Sequence, residues 1–392
     1  MQHPLKGIRV LDFSRVVSGP FAGRMLADLG ADVVKVEPPN GDGTRNHGHT
    51  VRDISGFFNQ QNAGKRNICI DLQTAGAADL VKALVAAADI VIENYRPGVM
   101  QRLGIDYTTL NTINPKIIML SISGYGQSGP ETHRPSYAPV VHAELGLMHR
   151  MARRNGTPPA DLPLSVADTN ASLHGLIAVL AALHLRGQTG LGQHIDLSMM
   201  DATFATDDRV HFELEDVPDS VPLSPTFDLP FGPVFIATDT KLLFKRLNKQ
   251  GLVTDPAAAD AQLESKIALR HQAVTELLQQ YETKEQFADL MHELDMPWGE
   301  IRDPRQLREQ PTLQARQMIV EIDDRAGGTR PVVQTPFRFS NAKSGVRGPS
   351  AHRGEHNRAV LKDWLNMPDP QINTLTEDAV LQAGEFAEQT PG

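Results

Sequence analysis

An α/β fold built on a parallel, Rossmann-like sheet is predicted by three observations. Short β-branched runs alternate with helical patterns from the start to about residue 200, as strands and crossover helices do. At 392 residues the chain exceeds the usual size of one hydrophobic core, so a large domain with a smaller one is expected. The pattern then breaks at a proline-rich stretch and resumes as charge-patterned helices.

The elements follow in order. Strands are predicted at 8–13, 33–36, 67–72, 90–93, 117–121 and 195–198, each a run of β-branched or aliphatic residues bounded by polar or turn residues. The first helix, 21–29, is introduced by Gly19 and Pro20 and closed by Gly30, following the preference for proline at a helix start and glycine after its end. Another spans 77–88. A long helix follows Asp168, with Leu173, Leu176, Ile177, Leu180 and Leu183 spaced along one face, and ends at Gly187 and Gly190. Residues 216–240 read as a linker or crossover loop, and 241–296 as a helical, polar region. A strand at 332–339, a helix at 355–365 and a frayed acidic tail from about 377 complete the chain.

Composition excludes several functions. With 38 Lys and Arg against 47 Asp and Glu, the net charge of −9 lacks the footprint of a nucleic-acid or anionic-membrane binder. The single cysteine, Cys69, lies in the apolar run 68–72, which suits a core residue in a reducing compartment. MQHPLKG passes directly into IRVLDF, so no secretion signal is expected. The longest apolar stretch, 176–183, falls short of a membrane span. A cytoplasmic protein without membrane or nucleic-acid partners is the expectation.

The first strand and its turn invite a dinucleotide-binding reading, but SRVVSGP holds one glycine where that fingerprint needs several at fixed offsets. No nucleoside-triphosphate loop is present. HGH at 47–49 and HRGEH at 352–356 lack the ligand number and spacing of a zinc site, so no metal is expected. GYGQSGP at 124–130 and Asn94, Tyr95 and Arg96 both follow predicted strands, at the edge where open α/β sheets place ligands. There an amide, an aromatic face and a cation suit an adenine nucleotide. Lys35, Arg45, Lys65, Arg66, Arg96 and Arg102 are candidates for phosphates only collectively, since each alone reads first as a solvated surface charge. Asp168, in LSVADTNAS at a helix start, either caps the helix or attacks a carbonyl. The roles are compatible, because helix-terminal donors keep a carboxylate ionised, as a nucleophile must be.

These residues resemble the class III CoA-transferases, the family of formyl-CoA transferase and carnitine CoA-transferase, with α-methylacyl-CoA racemase among its relatives. The resemblance rests on LKGIRVLDFSRVVSGPFAGRMLADLGADVVKVEPPNGDGTR, NAGKRNICIDL, ENYRPGVMQRLGIDY, NPKIIMLSISGYGQSGP, LSVADTNAS, TGLGQHIDLSMMDA and GEH at 354–356. It implies a large Rossmann-like domain formed by 1–215 with 330–392, a linker at 216–240, a smaller α/β, mainly helical domain at 241–329, and a homodimer interlinked like chain rings. It implies Asp168 as the nucleophile. A pocket for CoA or acyl-CoA, bound as substrate with no tightly held cofactor, would involve Arg15, Val16, Leu72, Asn94, Tyr95, Arg102, Leu103, Tyr137 and Met199, with Arg45 and Arg66 less secure. The other substrate would be a carboxylic acid, with succinyl-CoA a possible donor. Tyr137 occupies the place of the racemase histidine, which favours transfer over epimerisation; a non-catalytic CoA-binding subunit is a third reading. Ala138 stands where the family often has an acidic residue, and the glycine-rich loop of formyl-CoA transferase has no counterpart here.

Overall fold

Six strands carry the first two hundred residues in this computed structural model, which describes residues 1–217 and 224–387. They are β1 (Arg9–Asp12), β2 (Asp32–Glu37), β3 (Arg66–Cys69), β4 (Ile90–Glu93), β5 (Ile118–Ser123) and β6 (His194–Ser198). They form one sheet in the order β3-β2-β1-β4-β5-β6, every pair parallel. Val10 sits beside Val33 on one side and Ile90 on the other. Such central strands are buried on both faces, which is why they read as continuous apolar runs. The order reverses between β1 and β4, and that reversal opens a crevice at the carboxyl ends of the strands.

Helices cover both faces. On one, α2 (Ala77–Ala86) packs Leu80, Val81 and Leu84 into a core shared with Val360, Leu361 and Trp364 of the C-terminal helix Asn357–Leu365. On the other lie α1 (Ser18–Asp28) and the long α3 (Val166–Thr189). The stripe expected along α3 enters the core only at Leu176 and, in part, Leu183. Ala167, Ala171, Gly175, Leu176 and Val179 are buried, whereas Leu173, Ile177 and Leu180 are exposed. Close approach explains the difference: a Cβ on Gly175 would lie 2.9 Å from Leu120 Cδ2, so small residues must face the sheet. Among the described residues, α3 is the one helix long and apolar enough to cross a membrane, and its small-residue face is spent on this core.

The chain divides into two compact units, Met1–Asp208 with Gln317–Gly392, and Arg209–Arg316. The second is not helical alone, and part of the stretch read as a linker belongs to it. β7 (Thr226–Leu229) and β8 (Gly232–Ile236) form an antiparallel pair, and β9 (Trp298–Glu300) adds to β8. Phe227, Leu229, Val234 and Ile236 alternate inward, a period of two that the surrounding prolines disguise in the sequence. They pack with Leu243, Leu247 and Phe287 from the helices Thr240–Lys249 and Lys284–Glu293. Residues 218–223 of the expected linker lie outside the described residues.

Two further expectations shift. The late strand is Thr329–Val333, paired with Ile319–Asp323, rather than 332–339. Nor does the chain fray from 377: Val380 and Leu381 are buried, and Leu381 bridges to Ile70 at the end of β3.

Candidate active site

The turn after β1 is shaped by buried charges. Asp12 accepts the Ser14 N–H at 3.0 Å and also the Ser14 hydroxyl. Lys35 donates from Nζ to the Ser14 carbonyl at 2.7 Å, and Asp42 accepts the Val16 N–H at 3.3 Å. Asn94, just past β4, closes the turn from the other side. Its Oδ1 accepts the Arg15 N–H at 2.8 Å, while its Nδ2 donates to the Arg15 carbonyl at 2.8 Å and to Ser18 Oγ at 3.1 Å. These bonds hold Val16 at φ 68°, a left-handed conformation that a β-branched residue adopts only under constraint.

Asp168 enters from α3, and it is not the residue that caps that helix. Ser165 holds the N-cap position without a side-chain bond. The orphan N–H of Ala167 is taken by His142, whose Nε2 accepts it at 3.2 Å while Nδ1 meets Asp161 at 3.0 Å. That pairing places the ring proton on Nδ1. The Asp168 carboxyl faces the hydroxyl and N–H of Ser18, at the start of α1. Ser172 ties the two helices together, its hydroxyl donating to the carbonyls of Ser18 at 2.6 Å and Asp168 at 2.8 Å. Burial is the largest influence on the carboxyl and raises it to about 6, with donation from Ser18 pulling the other way. The helix-end donors therefore do not hold it fully ionised in the way the sequence suggested; desolvation outweighs them.

Seven of the ten predicted site residues meet at one cavity of about 310 Å³: Arg15, Val16, Asn94, Tyr95, Tyr137, Asp168 and Met199. Leu72 and Leu103 line a second, of about 490 Å³, together with Arg15 and Tyr95, which thus belong to both. The Arg15 guanidinium lies 5.2 Å from the centre of the Tyr95 ring. Arg102 lines neither and is exposed on the short helix after Gly98. Both amide hydrogens of Asn94 are engaged with the turn, so only its carbonyl oxygen has capacity left for a ligand.

Four of the six proposed phosphate cations are committed elsewhere. Lys35 pairs with Asp42 at 3.2 Å, Lys65 with Asp12 at 2.7 Å, and Arg45 with Glu37 at 2.5 Å, all in the interior. Arg66 pairs with Asp32. This corrects the extension of the pocket to Arg45 and Arg66: each is spent on a carboxylate of its own domain. HRGEH likewise serves the fold, with Glu355 accepting the His352 N–H at 2.7 Å and His356 Nδ1 accepting that of Asn67 at 3.2 Å. Of GYGQSGP only Gly124 reaches the first cavity; the Gln127 N–H is taken by the Asp196 carboxylate at 3.0 Å.

Sequence reasoning missed Ser18, Ser123, Thr132, Arg134 and Ser136 in the cavity wall. Ser18 and Ser136 each stand beside a residue that was singled out, but serines near glycine and proline read simply as turn formers. Glu93, at the end of β4, was also overlooked. It accepts the Tyr95 N–H at 2.8 Å, and burial raises it to about 7.

Residues 5–357 match the sequence model of CoA-transferase family III. The chain is 31% identical over 402 residues to the succinyl-CoA–L-malate CoA-transferase beta subunit of Chloroflexus aurantiacus, covering 96% of this chain and 98% of that one. It is 32% identical over 387 residues to the succinate–glutarate CoA-transferase of Agrobacterium fabrum, covering 92% and 95%. The crystal structure of a CAIB/BAIF family protein from Brucella suis superposes with a TM-score of 0.77 at 30% identity, covering 93% of this chain and all of that one. A parallel sheet with its crevice at the strand-order reversal, one carboxyl in that crevice and a match along nearly the whole length have one account: the chain is an enzyme of CoA-transferase family III.

Proposed function

We propose that this enzyme moves CoA from an acyl-CoA donor, succinyl-CoA in the first instance, to a carboxylic acid through covalent intermediates on Asp168. The observation that carries the reading is that Asp168 is the one carboxylate lining the first cavity. Its oxygen bonds to the thioester carbonyl carbon, the C–S bond breaks, and CoA thiolate leaves a mixed anhydride. The thiolate then attacks the aspartyl carbonyl, releases the donor acid and forms an aspartyl-CoA thioester. The acceptor carboxylate attacks that carbonyl in turn, the C–S bond breaks to give a second mixed anhydride and CoA thiolate, and the thiolate then attacks the acceptor acyl carbon and releases the Asp168 carboxylate. One thioester replaces another, so the sequence of steps consumes no nucleoside triphosphate. The Ser18 N–H and hydroxyl are placed to stabilise charge on the aspartyl oxygens. CoA would extend across the two cavities that share Arg15 and Tyr95, with the arginine fork suited to its phosphates.

Incubation with an acyl-CoA and no acceptor should load CoA onto the peptide containing Asp168, as a mass increase. Loading on another residue, or full exchange by Asp168→Ala, sinks the mechanism. The epimerase alternative predicts deuterium uptake at C2 of a 2-methylacyl-CoA; none is expected here, because Tyr137 replaces the second acid/base group.

We further propose a homodimer. Its support is the stripe of Leu173, Ile177 and Leu180 on α3, exposed by 42%, 64% and 37% at helical spacing. Light scattering after size exclusion should give twice the chain mass, and Ile177→Lys should weaken the association; a monomeric parent protein would refute the proposal.

A further inference from the structure

We infer that His142 is a positioning residue for the transfer: held by Asp161 as the tautomer that carries its proton on Nδ1, it caps α3 from outside that helix and fixes the turn on which Asp168 stands. The inference rests on the reading of Asp168 as the nucleophile, and deepens it.

The start of α3 has little to hold it of its own. Ser165, at the N-cap, makes no side-chain bond, and the Thr169 hydroxyl donates to the carbonyls of Ser165 and Val166 instead of meeting a free N–H. The preceding residues 153–161 are all exposed. A helix that begins on such a segment frays at its first turn unless its orphan N–H groups find acceptors. Asp168 lies in that turn.

His142 supplies the acceptor. Its side chain is 1% exposed, and its Nε2 accepts the N–H of Ala167, one residue before the nucleophile, at 3.2 Å. A ring nitrogen accepts there only when it carries no proton, and the Asp161 carboxylate, 3.0 Å from Nδ1, selects that tautomer. The imidazole belongs to the helix Ala138–Glu144, which begins directly after Tyr137 of the cavity wall and buries Ala138 and Val141 in the core shared with Ala167 and Ala171. One short helix thus joins the wall of the cavity to the turn that carries Asp168. A carboxylate reacts with a carbonyl carbon only within a narrow range of distance and angle, so loosening this turn costs rate and leaves substrate affinity alone.

The test follows CoA loading onto Asp168 from one acyl-CoA, as a mass increase against time. His142→Leu should load and turn over about 10- to 100-fold more slowly, with the KM for the acyl-CoA within about twofold and the melting temperature within about 3 °C of the parent protein. His142→Gln keeps a side-chain oxygen for the Ala167 N–H and should recover most of that rate. In nitrogen NMR of protein with isotope-labelled histidine, the signal that vanishes in His142→Gln should be that of the Nδ1–H tautomer, and Asp161→Ala should move it towards the Nε2–H form. Loading of His142→Leu at the parent rate overturns the inference. So does a glutamine variant as slow as the leucine one, since that assigns the loss to the shape of the ring. An Nε2–H tautomer or an imidazolium in the parent protein overturns it as well, and decides the matter even where His142→Leu does not fold. Absence of any loading on Asp168 in the parent removes the proposed mechanism and the inference with it; loading that is indifferent to residue 142 removes the inference alone.

Discussion

Asp168→Asn is expected to abolish CoA exchange and yet to make the protein harder to unfold above pH 6. Burial raises the Asp168 carboxyl from 3.8 to about 6, so the folded protein holds its proton more tightly than the unfolded chain does. The stabilising effect of that proton is full below 3.8 and is lost as pH rises through about 6. At neutral pH the native state therefore bears a charged carboxylate at a cost of about 2–3 kcal/mol. Asparagine keeps an oxygen for Ser18 to bond and removes the charge. Urea unfolding at pH 8 should show the variant more stable by about that amount, with the gap closing towards pH 4. An equal gap at both values would mean that the carboxylate has no titration-linked cost. Exchange should fall by at least about a thousandfold, because amide nitrogen provides no competent nucleophile or leaving group. In the parent protein kcat/KM should drop about tenfold per pH unit below 6 and level off above it.

Arg45→Ala is expected to destabilise the fold by about 3–5 kcal/mol, the usual consequence of removing one member of a buried ion pair. Glu37 would remain in the interior, where it also accepts the Asp42 N–H at 2.7 Å and bonds the Asn67 side-chain amide. The damage should reach the active site, since Asp42 holds the Val16 N–H. Loss of activity should therefore accompany loss of stability, with a raised KM for the acyl-CoA. Arg45→Met combined with Glu37→Gln should recover much of the stability, because no isolated charge is left buried; a double variant as unstable as Arg45→Ala would instead assign the cost to lost packing against the Phe58 ring, whose centre lies 3.9 Å from the guanidinium. Thermal unfolding of the three proteins decides between these outcomes.

The sheet was legible because most of its strands are short aliphatic runs buried on both faces, and because helices lie between them along the chain. The ligand edge was legible for the same reason: Arg15, Val16, Asn94 and Tyr95 follow β1 and β4, and the fold brings those ends together. The electrostatics were not. Lys65 looks no different from a surface lysine in the sequence, and its partner Asp12 lies 53 positions away. Arg45 completes its bonding on the Ala351 carbonyl, 306 positions along. Helical periodicity found a stripe on α3 of which only Leu176 and Leu183 reach the core, because it weighs side-chain size and knows nothing of how closely a sheet will approach. The β7–β8 pair was hidden by prolines that suggest loop wherever they occur.

Ser172 gives the site a mechanical character. One hydroxyl meets the backbone carbonyls of both Asp168 and Ser18, so the backbone that carries the Asp168 carboxyl is tied to the first turn of α1. Thermal motion cannot easily change the spacing between them without moving two helices at once. Whatever adjustment substrates of different length require must then come from the opposite wall, which is made of loop. On this view, altering which acid is accepted is a matter of rebuilding 132–137, and the carbonyl chemistry can be left as it stands.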